Sequence, residues 1–368
     1  MSHELTAPAN WKRAWILSIL CLWVLGAGGL AYGQHASDSS LGSHAQRQVV
    51  AALNRELDSR YVFPDVAQKV AGALRADLRL GVFDTPNTGE ALADALTRRL
   101  RELTNDKHLS VRYSEAPIAI STQTELTPGL AATRVAAHRA RMQARNFSIV
   151  RVERLEHNIG YIDLHGFEPA DESADAIAAA MRLVAYTDAL IVDLRENDGG
   201  YPSGVAQLET YFFDKRTHLN DMYIREGGRT EETWTFDEVA GPRYGETRPV
   251  YLLVSRRTFS GGEDMAYTLQ KLRRATIVGE TTGGGASPGS EVRLSDHFFA
   301  FIPFARPINP ITKENWEGKG VAPDAAAPAA GALNAARILA LRKFLETEKD
   351  QAKIRALQSS ISALERGR

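Results

Sequence analysis

One cysteine, Cys21, stands in a chain of 368 residues, and it lies inside an N-terminal apolar stretch. A disulfide framework, a thiolate nucleophile and a cysteine metal site are therefore excluded for the body of the chain. Charge of one sign is also lacking. Lys and Arg number 44 against 45 Asp and Glu, a net of -1, so no broad electrostatic pull toward nucleic acid is expected. No His-Glu-x-x-His or similar ligand spacing occurs, which gives no metal site from motif. The glycines Gly283, Gly284 and Gly285 lack the Gly-Lys-Ser/Thr of a phosphate-cradling loop, and no clear helix follows them. No motif calls for a cofactor, and no internal repeat is visible.

What is present is globular composition, 44% hydrophobic and 24% charged, enough for one large or two ordinary domains. Residues 1–33 read as an export signal or membrane anchor. Lys12 and Arg13 precede an apolar stretch from Ala14 to about Tyr32, and Ala31-Tyr32-Gly33 offers small residues where a signal peptidase cuts. Gly26, Gly28 and Gly29 weaken the helix near its end and favour cleavage over an uncleaved anchor. Ser18-Ile19-Leu20 lacks the small residues expected before a lipidated cysteine. The body is expected to be extracytoplasmic, periplasmic or secreted, with membrane contact only through that segment.

Residues 34–113 form an N-terminal helical subdomain by pattern. Its apolar stripes are Val49, Val50, Leu53 and Leu57, then Val66, Val70, Leu74 and Leu78, then Leu92, Leu96 and Leu100. A strand from Leu109 to Tyr113 closes it. Residues 114–150 connect, with one helix rich in Ala and Arg. Residues 151–330 alternate strands and helices, which argues for an α/β core with parallel strands. Expected strands are Ile149 to Leu155, Ile159 to Leu164, Ala189 to Leu194, Pro249 to Val254, Ala275 to Val278, Val292 to Leu294 and Phe298 to Pro303. Expected helices are Ala174 to Val184, Val205 to Phe213 and one after Ser260. Residues 331–368 read as a helical extension.

Two strand ends carry the chemistry. Pro249 to Ser255 runs into Arg256-Arg257-Thr258-Phe259-Ser260-Gly261-Gly262-Glu263, and Met265, Ala266, Leu269 and Leu272 follow at helical spacing. Ser260 thus stands at a helix N-terminus, where free N–H groups and the helix dipole favour negative charge. A serine attacking a carbonyl needs fixed donors for the oxyanion. The same four residues, Ser260 to Glu263, also spell a plain capping box. The second strand, Ala189 to Val192, runs into Asp193-Leu194-Arg195-Glu196-Asn197-Asp198-Gly199-Gly200. Gly199 and Gly200 are candidate oxyanion donors with the Gly261 N–H as partner, or else a simple tight turn.

These two elements, with Val278-Gly279-Glu280-Thr281 and Gly320-Val321-Ala322-Pro323-Asp324 after them in order, resemble the C-terminal-processing (tail-specific) serine peptidase family. The matching stretch runs from about Ile159 to Asp324. The N-terminal helices and Asp106-Lys107-His108-Leu109 resemble the branch containing interphotoreceptor retinoid-binding protein modules. The resemblance implies a ClpP/crotonase-like core of stacked β-β-α units. It also implies one of two ways of activating serine. A lysine would lie in the glycine-rich turn after the next strand, but Gly283-Gly284-Gly285-Ala286-Ser287 has none. Lys271 lies at the far end of the helix that Ser260 begins. The other way, as in the tricorn core protease, uses histidine with a supporting glutamate. His108 matches that histidine and Glu317 that acid; His165 and Glu280 are the second choices. Lys107 stands where the tricorn-type pattern has serine.

The expected function is an exported serine peptidase. Ser260 is nucleophile, His108 base and Glu317 its support, with Gly199, Gly200 and Gly261 around the oxyanion. Peptide or unfolded protein is the substrate. The stretch between His108 and the core is too short for a PDZ-type module, so a peptide would lie as an added strand near the site. The alternative is a non-catalytic binding module of the same fold carrying an apolar small molecule or peptide.

Overall fold

A computed structural model describes residues 41–84, 88–117 and 128–367. The N-terminal apolar stretch and Cys21 lie outside them. Among the described residues no helix is long and apolar enough to cross a membrane.

The chain opens with three helices, α1 (Ser43–Arg60), α2 (Pro64–Arg79) and α3 (Gly89–Thr104). Pro64 sits at the first position of α2, where its missing N–H costs nothing. The Thr88 hydroxyl caps α3 by accepting from Ala91 N–H at 3.2 Å. Their stripes, including Val50, Leu53, Leu57, Leu74, Leu92, Leu96 and Leu100, are fully buried in one shared core. That core is completed by strands. After α3 come β1 (Ser110–Tyr113), α4 (Pro128–Ala144), β2 (Ile149–Leu155), β3 (Ile159–Leu164), α5 (Ala170–Val184), β4 (Ala189–Asp193) and α6 (Pro202–Thr210). The hairpin β5 (His218–Ile224) and β6 (Arg229–Trp234) precedes β7 (Val250–Val254), α7 (Gly261–Lys271) and β8 (Thr276–Gly279). The chain ends with β9 (Gly289–Arg293), β10 (Phe298–Pro303), β11 (Ala305–Ile308), β12 (Ala325–Ala326), α8 (Ala332–Leu345) and α9 (Gln351–Arg366).

A six-stranded sheet in the order β12-β8-β7-β4-β3-β2 is the centre of the molecule. Its pairs are parallel except β2 with β3. The central strands β4 and β7 are buried at every position, as expected for strands covered on both faces. Helices α5, α6 and α7 cover one face and α8 and α9 the other. The fold is therefore α/β with an N-terminal helical layer, as the sequence pattern implied.

Two three-stranded antiparallel sheets, β1-β10-β9 and β11-β5-β6, flank this core. The first ties the helical layer to the rest, with Val111 opposite Ala300 and both buried beneath the helices. The hairpin β5-β6 and the short β11 carry no apolar run that marks them in sequence. His218–Ile224 mixes polar and apolar residues without strict alternation, and Arg229–Trp234 is largely polar and exposed or half-buried, so periodicity alone passes over them. Helix α6 begins at Pro202, ahead of its apolar residues, and α5 begins at Ala170.

Candidate active site

Parallel neighbours β4 and β7 deliver the two strand ends side by side, with Asp193 paired to Leu253. The loops that follow are stitched together by buried polar groups. Thr258 Oγ1 donates to the Leu194 carbonyl at 2.7 Å and Ser255 Oγ to the Arg195 carbonyl at 2.6 Å. Asn197 is fully buried; its Nδ2 donates to the Leu164 carbonyl at 2.9 Å, and its carbonyl accepts from Phe259 N–H at 2.9 Å.

Ser260 sits on the tip of this elbow with φ 50° and ψ -116°. A non-glycine residue in that region is strained, and such strain persists only where the surroundings over-determine it. The clamp is Glu263. Its Oε2 accepts from Ser260 N–H at 3.0 Å and from Gly285 N–H at 2.8 Å, while Oε1 accepts from Gly284 N–H at 2.6 Å and from the Thr282 hydroxyl. Glu263 is fully buried, and burial raises its pKa against the opposing pull of these donors. Its place in the cap was legible in sequence; its grip on the distant glycine turn was not.

The diglycine packs directly against the elbow. A β-carbon on Gly199 would lie 2.6 Å from Ser260 Cβ, and one on Gly200, at φ 134°, would lie 2.1 Å from the Phe167 carbonyl oxygen. Only glycine fits either place. The two are not equivalent as donors. The Gly199 N–H is already given to Asn197 Oδ1 at 2.9 Å, so this candidate donor is taken. The Gly200 N–H forms no hydrogen bond, nor does the Gly261 N–H at the start of α7. A β-carbon on Gly261 would come within 3.2 Å of the Gly200 nitrogen, which measures how closely the two amides approach.

His108 reaches the site from the other direction. It lies between α3 and β1, and Asn105 at φ 56° turns the chain out of the helix. The imidazole sits 4.7 Å from the Phe259 ring and 6.0 Å from the Phe301 ring, centre to centre. A β-carbon on Gly285 would be 2.8 Å from its Cε1. Thus the residue before Ser260 is in ring contact with His108, although no hydrogen bond joins Ser260 Oγ to the imidazole. Burial, and then the Arg101 charge, lower the His108 pKa to about 4.

Glu317 closes the group. One ligand atom each from Asp106, His108 and Glu317 lie within 4.8 Å of one another. Glu317 Oε2 accepts from Ala286 N–H at 2.7 Å and Ser287 N–H at 3.1 Å. Glu317 Oε1 and His108 Nδ1 are both buried without a hydrogen-bond partner. Burial, and then the Asp106 charge, raise the Glu317 pKa to about 7. The glycine turn therefore does cradle anions, but they are two carboxylates of the chain itself: Gly284 and Gly285 hold Glu263, and Ala286 and Ser287 hold Glu317.

The second choices lie elsewhere. His165 pairs with Asp163 at 3.1 Å. Glu280 accepts from Arg256 N–H at 3.4 Å. Lys271 sits over the Tyr267 ring at 4.9 Å and donates to Gln270. Lys107 donates to the Gly283 carbonyl and so anchors the glycine turn to the His108 loop. Among the described residues, two clusters have the ligand types and closeness for a metal ion, Asp106/His108/Glu317 and His218/Asp221/Glu232. Neither was visible as a spacing, because each joins separated positions. In both, oxygens are already engaged: Asp106 by Tyr61 and His108 N–H, Asp221 by His218 at 2.6 Å.

Residues 158–327 match the profile described as peptidase family S41, and residues 42–147 the one described as the N-terminal domain of that peptidase in eukaryotic IRBP. The chain is 32% identical over 139 residues to a carboxyl-terminal-processing protease of Synechocystis, covering 38% of this chain and 31% of that protein. It is 29% identical over 167 residues to the chloroplastic carboxyl-terminal-processing peptidase 2 of Arabidopsis thaliana, covering 45% and 31%. The chain thus spans about a third of the length of these curated relatives. The solved structure of mature CPAF complexed with lactacystin superposes with a TM-score of 0.54 at 14% identity, covering 80% of this chain and 96% of that one. A lipoprotein from Streptococcus agalactiae does so at 0.50 and 12% identity, covering 85% and 99%. At such identities the likeness is one of fold.

Proposed function

Because the chain belongs to peptidase family S41, we propose that it hydrolyses peptide bonds with Ser260 as nucleophile, His108 as general base and acid, and Glu317 as the support of His108. The observation that carries this reading is the elbow. Ser260 is held in a strained conformation beside two unengaged amide N–H groups, Gly200 and Gly261, with His108 in tilted ring contact with the neighbouring Phe259.

Ser260 Oγ attacks the substrate carbonyl and gives its proton to His108. The carbonyl oxygen, now negative, takes the Gly200 and Gly261 N–H groups, which are fixed before the reaction begins. His108 passes the proton to the leaving amine, and an acyl-enzyme remains on Ser260. Water then attacks the acyl carbon with His108 again as base; the Ser260 ester bond breaks, the new carboxylic acid leaves and His108 returns the proton to Ser260 Oγ. The lowered His108 pKa, about 4, keeps the imidazole neutral near neutral pH, and the anion that forms beside it must restore its strength as a base. The imidazolium so formed is buried, and needs an anion. Glu317 supplies it once ionised, and its unpaired Oε1 faces this task. Because burial raises the Glu317 pKa to about 7, activity rises with pH through that region.

We assign peptide or unfolded protein as substrate, from the relatives' carboxyl-terminal-processing names. An extracytoplasmic place rests on the apolar N-terminal stretch with its preceding Lys12 and Arg13. The test is labelling with a serine-directed fluorophosphonate, followed by peptide mapping. The expected result is one adduct on Ser260, absent in Ser260→Ala, with hydrolysis of a fluorogenic peptide falling at least ~10³-fold in that variant. A parent protein that takes no label and retains a co-purified apolar ligand would instead be a binding module.

A further inference from the structure

Asp106 is one of the least exposed carboxylates of the chain, at 1%, and the peptidase mechanism does not use it. Its Oδ1 accepts from the backbone N–H of His108 at 2.9 Å, and its Oδ2 accepts from the Tyr61 hydroxyl at 3.1 Å. Its own N–H donates to Thr104 Oγ1 at 3.1 Å. Tyr61 is buried at the end of α1, and its carbonyl accepts from Nη1 of Arg225, the residue after β5, at 2.5 Å. Asp106 is thus fixed by groups from both ends of the helical layer. From that place it lies near Glu317: one nitrogen or oxygen atom each of Asp106, His108 and Glu317 falls within 4.8 Å of the others. The loops carrying them interlock, since a β-carbon on Gly318 would stand 2.5 Å from Asn105 Nδ2.

We propose that Asp106 is a positioning residue of the site, which pins the backbone of His108 and sets a second buried carboxylate against Glu317 so that the two ionise as a pair. The inference rests on the peptidase reading for its catalytic meaning, but the pairing itself stands on the contacts above. Two carboxylates in a dry site resist ionising together, and the second proton leaves only at higher pH. The groups facing the pair are the Tyr61 hydroxyl, the Arg101 guanidinium, the His108 imidazole, the His108 and Leu109 N–H groups on Asp106, and the Ala286 and Ser287 N–H groups with the Ser287 side chain on Glu317. Among them Arg101 alone carries positive charge at rest, and it acts on Asp106 and His108. Asp106 therefore governs when Glu317 becomes the anion that the imidazolium needs.

Asp106→Asn separates this role from that of a simple turn. Asparagine keeps an oxygen for the His108 N–H and loses the charge. The acid limb of kcat/KM against pH, measured on a fluorogenic peptide, is expected to move down by about half a pH unit or more, because Glu317 loses its neighbour's repulsion. A limb that stays in place, with or without a fall in rate, overturns the proposal and leaves Asp106 a turn residue. A second measurement needs no turnover: the ¹⁵N shifts of the His108 imidazole against pH, in Ser260→Ala with and without Asp106→Asn. The inflection that reports Glu317 is expected to move down by the same amount, and an unmoved inflection overturns the pairing. Should the parent hydrolyse no peptide and take no fluorophosphonate, the peptidase reading falls while this titration still decides on Asp106.

Discussion

The two halves of the site are built differently. The elbow half, Ser260 with Gly200 and Gly261, is held by backbone and by side chains that belong to the α/β core alone. The base half, His108 with Glu317, is assembled from the helical layer and a late loop, and it contains two buried polar atoms that have no partner. On the proposed reading, the nucleophile and its oxyanion donors are prepared in advance. The base and its acid are left with unfilled hydrogen-bonding capacity, which a substrate and a moving proton would satisfy. Preorganised dipoles give the larger share of stabilisation to a developing charge, so rigidity is concentrated where charge appears. In the base half, burial moves the two groups in opposite directions, His108 down to about 4 and Glu317 up to about 7.

The largest expected break in this contrast is Gly200→Ala. Its β-carbon would lie 2.1 Å from the Phe167 carbonyl at φ 134°, so the diglycine must move and take its N–H with it. Stability should fall by ~2–4 kcal/mol, read as a denaturant midpoint, and kcat by about 10²–10³. An active variant would show that the Gly200 amide is not a donor.

Glu317→Gln tests the other half. Hydrolysis should fall by about 10²-fold or more, since the imidazolium loses its anion. Stability should respond in the opposite sense. The Glu317 pKa is raised to about 7 in the fold, so its favourable contribution is full below the ordinary glutamate range and is lost as pH rises through about 7. The melting temperature of the variant relative to the parent should therefore increase from pH 5 to pH 8. His108, lowered to about 4, contributes stability that is present above its ordinary range and lost as pH falls toward 4, and this loss should persist in the variant. A pH-independent difference in melting temperature would remove the electrostatic account of Glu317.

The smallest effect sharpens the elbow. Ser260→Gly should be more stable than Ser260→Ala by ~1 kcal/mol, because glycine accepts positive φ without strain. Equal melting temperatures for the two inactive variants would mean that no strain is held at Ser260.

Much of this was legible in residue order. The stripes of the three N-terminal helices, the buried strands β4 and β7 and the serine cap on α7 follow from periodicity and capping chemistry. The motifs taken together also single out Ser260, His108 and Glu317 as candidates. The hairpin β5-β6 was not legible, because β5 mixes polar and apolar residues on both faces and β6 is largely polar. Nor was the difference between Gly199 and Gly200. Both have the same chemistry in sequence, and only the position of Asn197 Oδ1 takes one amide out of use. Glu263 read as a cap, yet three of its four donors come from a turn beyond β8. Asp106 stood in a recognised stretch without any signal of its nearness to Glu317.

By itself, the sequence determined the local pieces: which segments are helix or strand, which face each buries, and that a serine follows a strand at a helix start. Those depend on interactions within a few residues, such as period, capping and glycine's freedom. Tertiary structure alone decided which amide is free, which carboxylates lie near each other and how far each acid or base is shifted. These depend on burial and on partners distant along the chain, and a buried charge is governed by whatever the fold sets within a few ångströms of it.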